Sequence, residues 1–348
     1  MKRIRIRLIT IFASSVLAVL LLYFFSSARS TDNFGGFNRK IDGEFVSLHA
    51  AVTPKYGGLY VAGVVNNRIA FGSHVVPLTL LLMSYDLDDT VSVHIRTNTP
   101  SNFASGPVLI KIDSPRFYLM NGAIPVVNAG WVENWEAYQS IKTLEFFKTA
   151  NIIGSDGIVS KINSSNSGED ELLKETFSNN RKYLAKELLT KQVDGVFCVD
   201  GMLNYNKELN RVIYTYYYRN EIVFADSNLN LLFRGKTIDT VNRAKIKVST
   251  IEADKRITIS APPVVVNGSS CTAGDLLYIN SRMLADNEND TIRRTQDVID
   301  VYSIRDGSYR FSFYIPKFNG QQLISFFVKS NFLIIMYRKN IVSYKIMR

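Results

Sequence analysis

The chain has 348 residues, of which 46% are hydrophobic, and 41 Lys and Arg against 31 Asp and Glu give a formal net charge of +10. Residues 1–29 hold five of the basic residues and no acidic one, so the remainder carries a net charge of only +5, scattered along the sequence. Scattered charge of this size excludes a polybasic nucleic-acid footprint, so no nucleic-acid partner is expected. Two cysteines, Cys198 and Cys271, exclude a dense disulfide framework, although one disulfide or two buried thiols remain open.

The first predicted element is an apolar helix. Four basic residues within residues 2–7 precede residues 8–25, a run of 18 residues without charge. About 20 apolar residues cross the ~30 Å of hydrocarbon in a bilayer, and a basic flank stays in the cytoplasm. The pattern predicts a cytoplasmic flank over 1–7, a transmembrane signal anchor over 8–28 and a linker over 29–42.

Two alternatives to a retained anchor stay open. Ser26 and Ala28 supply a small-x-small site, so cleavage near Ala28 would give a secreted protein. The apolar run is longer than the ~7–15 residues of a typical signal peptide, however, and it ends in an aromatic cluster at residues 23–25, which suits a lipid interface. An amphipathic or buried soluble helix is the third interpretation. The expected location is the inner membrane, single-pass, with the lipid bilayer as partner and the rest of the chain on the periplasmic side.

The remaining sequence consists of short β-branched and aromatic runs separated by turn residues. Residues 211–218 (RVIYTYYY) and 221–225 (EIVFA) predict two strands joined by an Arg-Asn turn. Residues 169–191 show helical periodicity, but two strands split at 177–180 fit equally well. Glycine marks further tight turns at Gly274-Asp275, Asp306-Gly307 and Asn319-Gly320.

Groups of about four candidate strands recur along the chain. Four strands in ~40–50 residues is the size of one β-propeller blade. The last group has only three strands and would leave an apolar edge open, so residues 43–50 (GEFVSLHA) are expected to add the fourth strand and close the ring. The predicted fold is all-β, a six-bladed β-propeller over 43–348 preceded by a single N-terminal transmembrane helix. The candidate blades cover about 57–97, 106–140, 144–190, 195–239, 263–315 and 321–346.

Two stretches carry a family resemblance. Residues 297–316 (DVIDVYSIRDGSYRFSFYIP) and 318–346 show a rhythm of strand, Asp-Gly turn, strand and proline. In this the chain resembles the secreted or membrane-anchored six-bladed β-propellers of the TolB-like and NHL-like kind found in bacteria. The resemblance implies a fold and carries over no catalytic signature.

The sequence indicates no catalytic, cofactor-binding or metal-binding residue. His49, His74 and His94 are the only histidines, and none lies in a metal-binding or nucleophile-linked pattern. Nucleotide-binding glycine motifs are also absent from the sequence. Cofactors are therefore unknown, with none indicated.

Clustered carboxylates offer a weaker possibility. The acidic loop 286–290 (DNEND) alternates oxygen ligands but lacks the central glycine and distal glutamate of a calcium loop, so a solvated hairpin insertion is preferred. A channel enzyme would need carboxylates that converge on the propeller axis. Asp200, Asp226 and Asp239 lie near predicted strand ends, but nothing in the sequence shows that they converge.

The best candidate binding surface is a pair of tryptophans. Trp131 and Trp135 are the only two in the chain and lie within one short segment, where they could contact a sugar or a peptide. Packing between blades is the alternative. The same alternative is preferred for the tyrosines of residues 214–218, because aromatic side chains pair well across strands.

Three functions are compatible with these observations. The preferred one is a membrane-tethered extracytoplasmic propeller that acts as a binding or scaffold module for an unknown ligand, such as an envelope protein. A metal-dependent hydrolase or lyase, with its site in the propeller channel, is the second. A glycan-binding envelope component is the third, and exposed tryptophans would favour it.

Overall fold

The computed structural model describes residues 2–27, 35–98, 108–142, 145–251 and 256–347. The elements within these ranges are, in chain order, α1 (Lys2–Ser27), β1 (Val46–Val52), β2 (Leu59–Val65), β3 (Arg68–Ser73), β4 (Thr79–Met83), β5 (Thr90–His94), β6 (Arg96–Thr97), β7 (Val108–Asp113), β8 (Arg116–Asn121), β9 (Val126–Trp131), β10 (Glu136–Lys142), β11 (Phe147–Ile153), β12 (Gly157–Asn163), β13 (Asp170–Thr176), β14 (Lys182–Ala185), β15 (Gly201–Asn206), β16 (Arg211–Tyr216), β17 (Glu221–Asp226), β18 (Leu231–Lys236), β19 (Lys247–Ile251), β20 (Arg256–Ala261), β21 (Asn267–Ala273), β22 (Leu276–Ser281), α2 (Asp290–Thr295), β23 (Gln296–Ser303), β24 (Tyr309–Pro316), a 3-10 turn (Phe318–Gly320), β25 (Ser325–Lys329), β26 (Phe332–Met336) and β27 (Ile341–Ile346).

Most of these strands form six antiparallel blades. Blade 1 is β2–β5, blade 2 is β7–β10, blade 3 is β11–β14, blade 4 is β15–β18 and blade 5 is β21–β24, each in sequence order. Blade 6 consists of β25, β26, β27 and then β1. The first strands of successive blades contact one another around a closed ring, from β2 through β7, β11, β15, β21 and β25 back to β2. The six-bladed β-propeller predicted from the sequence is confirmed.

The ring closes through β1. This strand pairs antiparallel with β27, from Val46 opposite Ile346 to Val52 opposite Ile341, with a bulge between Leu48 and Ala50. The apolar edge of the last blade is therefore covered. The strand runs from 46 to 52, whereas the sequence placed it at 43–50.

Turn residues set the strand boundaries within the blades. The stretch 169–191, in which helical periodicity competed with two strands, contains β13 and β14 separated by a turn. Two features add to the six-blade pattern in the described residues. Strand β6 pairs in parallel with the outer edge of β10, and the hairpin β19–β20 is inserted between blade 4 and blade 5.

Helix α1 carries an apolar and exposed surface. All described side chains from residue 9 to residue 22 are exposed, and Phe12 has 70% of its surface accessible. Among the described residues, no helix combines the length and the apolar character that a membrane span requires. The transmembrane helix predicted over 8–28 is therefore not shown. The possible cleavage position at Ala28 lies outside the described residues.

Residues 35–45, here called the N-terminal strap, wrap around the outer edge of blade 5. Ser312 in β24 donates its N–H to the Lys40 carbonyl and accepts the N–H of Asp42, both at 2.8 Å. Further along, the Phe45 ring lies 4.9 Å from Phe311 and 4.6 Å from Phe313, in a core shared with blade 6. Much of the region expected as a free linker is thus bound to blade 5.

The strap is fixed by the buried side chain of Arg39. Its Nε donates to Asp300 at 2.9 Å, its Nη1 contacts Glu288, and its Nη2 donates to Ser281 at 2.8 Å. The side chains of Arg39, Asp300 and Glu288 are at most 3% exposed. Asp300 shares a face of β23 with Tyr302, which packs on residues of blade 4, so Arg39 lies on the side of blade 5 that faces blade 4.

The acidic loop 286–290 is the other half of this attachment. Both Asp286 carboxylate oxygens accept the Gly36 N–H, at 2.9 and 2.8 Å, and the Asn287 side chain exchanges two hydrogen bonds with the Arg39 backbone. Glu288 is held by Arg39 and by the Tyr314 hydroxyl at 3.0 Å. The loop is an insertion between β22 and β23 and is largely exposed, as expected, but Asp286 and Glu288 also serve as acceptors for the strap.

Ring closure predicts that two large side chains, one just before β1 and one within it, contribute differently to the free energy of unfolding. Phe45→Ala should lower the free energy of unfolding by about 3–5 kcal/mol, because it empties a site between blades 5 and 6. Leu48→Ala is the control, since Leu48 is 60% exposed and should change stability by no more than about 0.5 kcal/mol. Urea unfolding monitored by intrinsic fluorescence measures both. Equal midpoints for the two variants would contradict the packing of the strap into the ring.

The buried ion cluster predicts a second difference. Arg39→Ala leaves Asp300 and Glu288 buried without their cation and should cost about 3–5 kcal/mol in urea unfolding. Arg305→Ala removes the cation of an exposed pair with Asp275, in which the two side chains are 63% and 49% exposed, and should cost no more than about 1 kcal/mol. An Arg39→Ala variant as stable as Arg305→Ala would show that the cluster does not hold the strap.

Candidate functional site

In each blade, two kinds of connection lie together on one face of the propeller. Because neighbouring strands of a blade are antiparallel, the turn between its second and third strands lies at the same end as the connection to the next blade. In blades 4 and 5 these elements are the turn 217–220, the segment 282–295 and the connections that follow β18 and β24. We call this end the loop face.

A pocket of about 1210 Å³ opens on the loop face between blade 4 and blade 5. We call it the blade 4–5 pocket. Its volume exceeds the ~300–1000 Å³ of common small-molecule sites. Gly35 of the strap and the segment that the strap holds both line it, so the Arg39 cluster supports one of its walls.

The wall formed by blade 4 and the following connection is rich in rings. Tyr217 and Tyr218 lie in the turn after β16, and residues 262–265 (PPVV) follow the inserted hairpin. The two tyrosine rings are 6.1 Å apart with an interplanar angle of 63°, so they present faces in different directions. The Tyr217 backbone is held on both sides, because its N–H donates to the Asp200 carbonyl at 3.0 Å and its own carbonyl accepts the Val266 N–H at 2.7 Å.

The tyrosine hydroxyls remain available as hydrogen-bonding groups. Burial, with a smaller contribution from the Asp200 carboxylate, raises the pKa of Tyr217 and of Tyr218 above the ordinary value of 10.0. Both phenols therefore stay protonated at neutral pH. Neither hydroxyl has a hydrogen-bond partner among the described residues. The sequence-based preference for blade packing holds for Tyr214 and Tyr216, which are buried, and for Tyr218, which is half-buried and packs against the same core, although Tyr217 and Tyr218 also line the pocket.

The wall formed by blade 5 carries a guanidinium held in one position. Arg282 lies 3.4 Å from the Asp297 carboxylate and donates to the Leu323 carbonyl at 3.0 Å. Asp297 in turn accepts the Leu323 N–H at 3.0 Å. A Cβ at position 268 would lie 2.5 Å from Arg282 Nε, so glycine in β21 lets the guanidinium lie against the inner strand.

The tryptophans predicted as a binding surface do not form a joint platform. Trp131 is 39% exposed, stacks on Tyr138 at 6.4 Å and lies under the Arg116 guanidinium at 4.9 Å. Trp135 is partly buried and stacks on Phe117 at 5.6 Å. Arg116 and Phe117 are neighbours in β8 and point to opposite faces of blade 2, so the two tryptophan rings lie on opposite faces as well.

The three carboxylates considered for a channel enzyme lie in separate environments. Asp200 pairs with Lys161, and Asp226 accepts hydrogen bonds from residues 228 and 230 of its own turn. Asp239 is buried beside Thr237, and burial raises the pKa of its carboxyl. The described part of the chain contains no group of three or more His, Cys, Asp or Glu side chains placed to hold a metal ion.

The histidines and cysteines are also separate from the pocket. His49 contacts Asp86, and His74 packs on the Tyr60 ring at 4.8 Å. Cys198 and Cys271 are both buried and free, and burial raises the pKa of the Cys271 thiol to about 12. Cys198 lies in a turn and Cys271 in β21, so of the two outcomes left open by the sequence the structure has two buried thiols.

Comparison with known proteins identifies the fold. No protein-family model and no curated protein matches the sequence. Among solved structures, the chain is similar to a member of the DUF4221 family from Bacteroides vulgatus, with a TM-score of 0.55, 10% sequence identity, and coverage of 88% of this chain and 98% of that chain. It is also similar to virginiamycin B lyase from Staphylococcus aureus, with a TM-score of 0.50, 8% identity, and coverage of 87% and 100%. At such low identity these likenesses show the β-propeller fold alone.

Proposed function

We propose that this protein is a binding module whose ligand site is the blade 4–5 pocket, and that α1 tethers it to a membrane with the propeller on the extracytoplasmic side. The pocket is the observation that carries the proposal. Its lining comes from blade 4, blade 5 and the strap, so ligand contacts are placed by a rigid scaffold. A site of this kind binds without needing to rearrange, which lowers the entropic cost of association.

Tethering is supported by the chemistry of the N-terminal helix. The run 8–25 has no charge, and the described side chains of 9–22 are exposed around the whole helix. A helix that is apolar on all sides needs an apolar environment on all sides, which a lipid bilayer provides. The inner membrane is the proposed site, and release after cleavage near Ala28 is the alternative.

The enzyme alternative has no comparable support in the described residues. Asp200, Asp226 and Asp239 do not converge, and the Arg282–Asp297 pair in the pocket is held by the backbone of Leu323. Such a pair suits ligand positioning.

Membrane fractionation tests the tether. The full chain should stay in the membrane pellet after sodium carbonate extraction, whereas a variant that lacks residues 2–27 should move to the soluble fraction. A C-terminal alkaline phosphatase fusion to the full chain should be active. Recovery of a soluble product that starts near Arg29 would contradict the anchor and support a cleaved signal.

Pocket filling tests the binding site. Val265→Trp places a large ring in the pocket, and Val75→Trp makes the same change on the loop face of blade 1, at a residue that is 70% exposed. Envelope extract should raise the thermal midpoint of the wild-type protein and of Val75→Trp, but not that of Val265→Trp, because ligand stabilises only a protein that binds it. An equal rise in all three proteins would place the binding surface elsewhere, with Trp131 as the next candidate.

A further inference from the structure

The blade 4–5 pocket combines ring faces, unpaired neutral polar groups and balanced charge. We propose that it binds a neutral oligosaccharide. This inference rests on the proposed function and deepens it by naming the class of ligand.

Charge balance argues against a strongly ionic ligand. Four carboxylates line the pocket, and they are matched by three lining cations together with Arg39 behind Glu288. Asp297 is paired with Arg282, and both Asp286 oxygens accept the Gly36 N–H. The Lys317 ammonium donates to the Arg293 carbonyl at 2.7 Å. A ligand of high net charge would find no excess of opposite charge here.

Three unpaired groups of the pocket are neutral, namely two phenol hydroxyls and one amide oxygen. The hydroxyls of Tyr217 and Tyr218 do either. Gln296 Oε1 is a buried acceptor with no hydrogen-bond partner among the described residues, and a buried amide oxygen favours a ligand that supplies a donor. Hydroxyl groups satisfy all three positions, because each one donates and accepts.

The shape of the lining fits pyranose rings. A sugar ring has an apolar C–H face and a rim of hydroxyls, so it needs an aromatic or apolar surface beside neutral polar groups. Tyr217, Tyr218 and residues 262–265 supply the surface. The pocket volume, about 1210 Å³, leaves room for an extended ligand.

A peptide strand fits this site less well. Strand addition needs an open sheet edge, because main-chain hydrogen bonds supply the affinity. The outer edge of blade 5 beside the pocket is occupied by the strap, through the hydrogen bonds of Ser312 to Lys40 and Asp42. Recognition at the pocket therefore has to come from side chains.

Calorimetric titration of the full chain in detergent tests the proposal. The probes are maltohexaose, cellohexaose and chitohexaose, with hexagalacturonate as the anionic counterpart. At least one neutral hexasaccharide should bind, and hexagalacturonate should bind at least 10-fold more weakly. Tyr218→Ala should weaken binding of that neutral sugar at least 10-fold, and Val265→Trp should abolish it. Tyr218→Phe should lose less affinity than Tyr218→Ala, because it keeps the ring. Trp131→Ala is the control and should bind as the wild type does.

The outcomes separate the two proposals. Any one of three results overturns the oligosaccharide proposal. The first is that no neutral sugar binds, and the second is that the anionic sugar binds more tightly. The third is that Trp131→Ala weakens binding as much as Tyr218→Ala does. If envelope extract still raises the midpoint of wild type and not of Val265→Trp, the binding site stands and its ligand is of another class. A cooperative thermal unfolding transition of each tyrosine variant without ligand shows that it folds.

Discussion

The burial of one cation, Arg39, determines how the N-terminal segment is joined to the propeller. A guanidinium removed from water must be paired, and its partners come from a central strand of blade 5 (Asp300) and from the segment before α2 (Glu288). Both carboxylates are buried as well. Removing any one of the three groups would therefore leave a buried charge without its partner. The strap and the acidic loop are therefore positioned together, and the loop becomes a fixed wall of the blade 4–5 pocket.

The strap and β1 contact the outer edges of two neighbouring blades, blade 5 and blade 6. An unpaired outer edge invites pairing with another chain, and here the N-terminal region covers the edge of blade 6 along β1 and contacts that of blade 5 at Ser312. Phe45 lies between the two regions and packs with residues of both blades. The segment that attaches to blade 5 and the strand that closes the ring are thus consecutive in the chain. This explains why Phe45, an apolar residue that packs in the core, directly precedes β1.

Sequence patterns predicted the blades because blades are built from local contacts. Strand runs and Asp-Gly or Asn-Gly turns lie within a few residues of each other. The need for a fourth strand in blade 6 could also be predicted, because the last group of the sequence contains only three candidate strands. The attachment of the strap was not predictable in this way. Arg39 is an ordinary basic residue in sequence, and its partners lie 249 and 261 positions away. The pocket tyrosines could not be predicted for a different reason. The sequence RVIYTYYY predicts one continuous strand, although the pairing of β16 with β15 ends at Tyr216. Only the strand register shows that Tyr217 and Tyr218 belong to the turn.

The covalent chain links the pocket closely to the proposed tether. Gly35 lines the pocket, and α1 ends at Ser27, eight residues earlier. Eight residues extend over at most about 29 Å, so the end of α1 lies within that distance of the pocket wall whatever path the chain takes. If α1 is embedded in a bilayer, the pocket works close to the membrane surface and not at the end of a long flexible linker. The accessible ligands are then those that reach this layer.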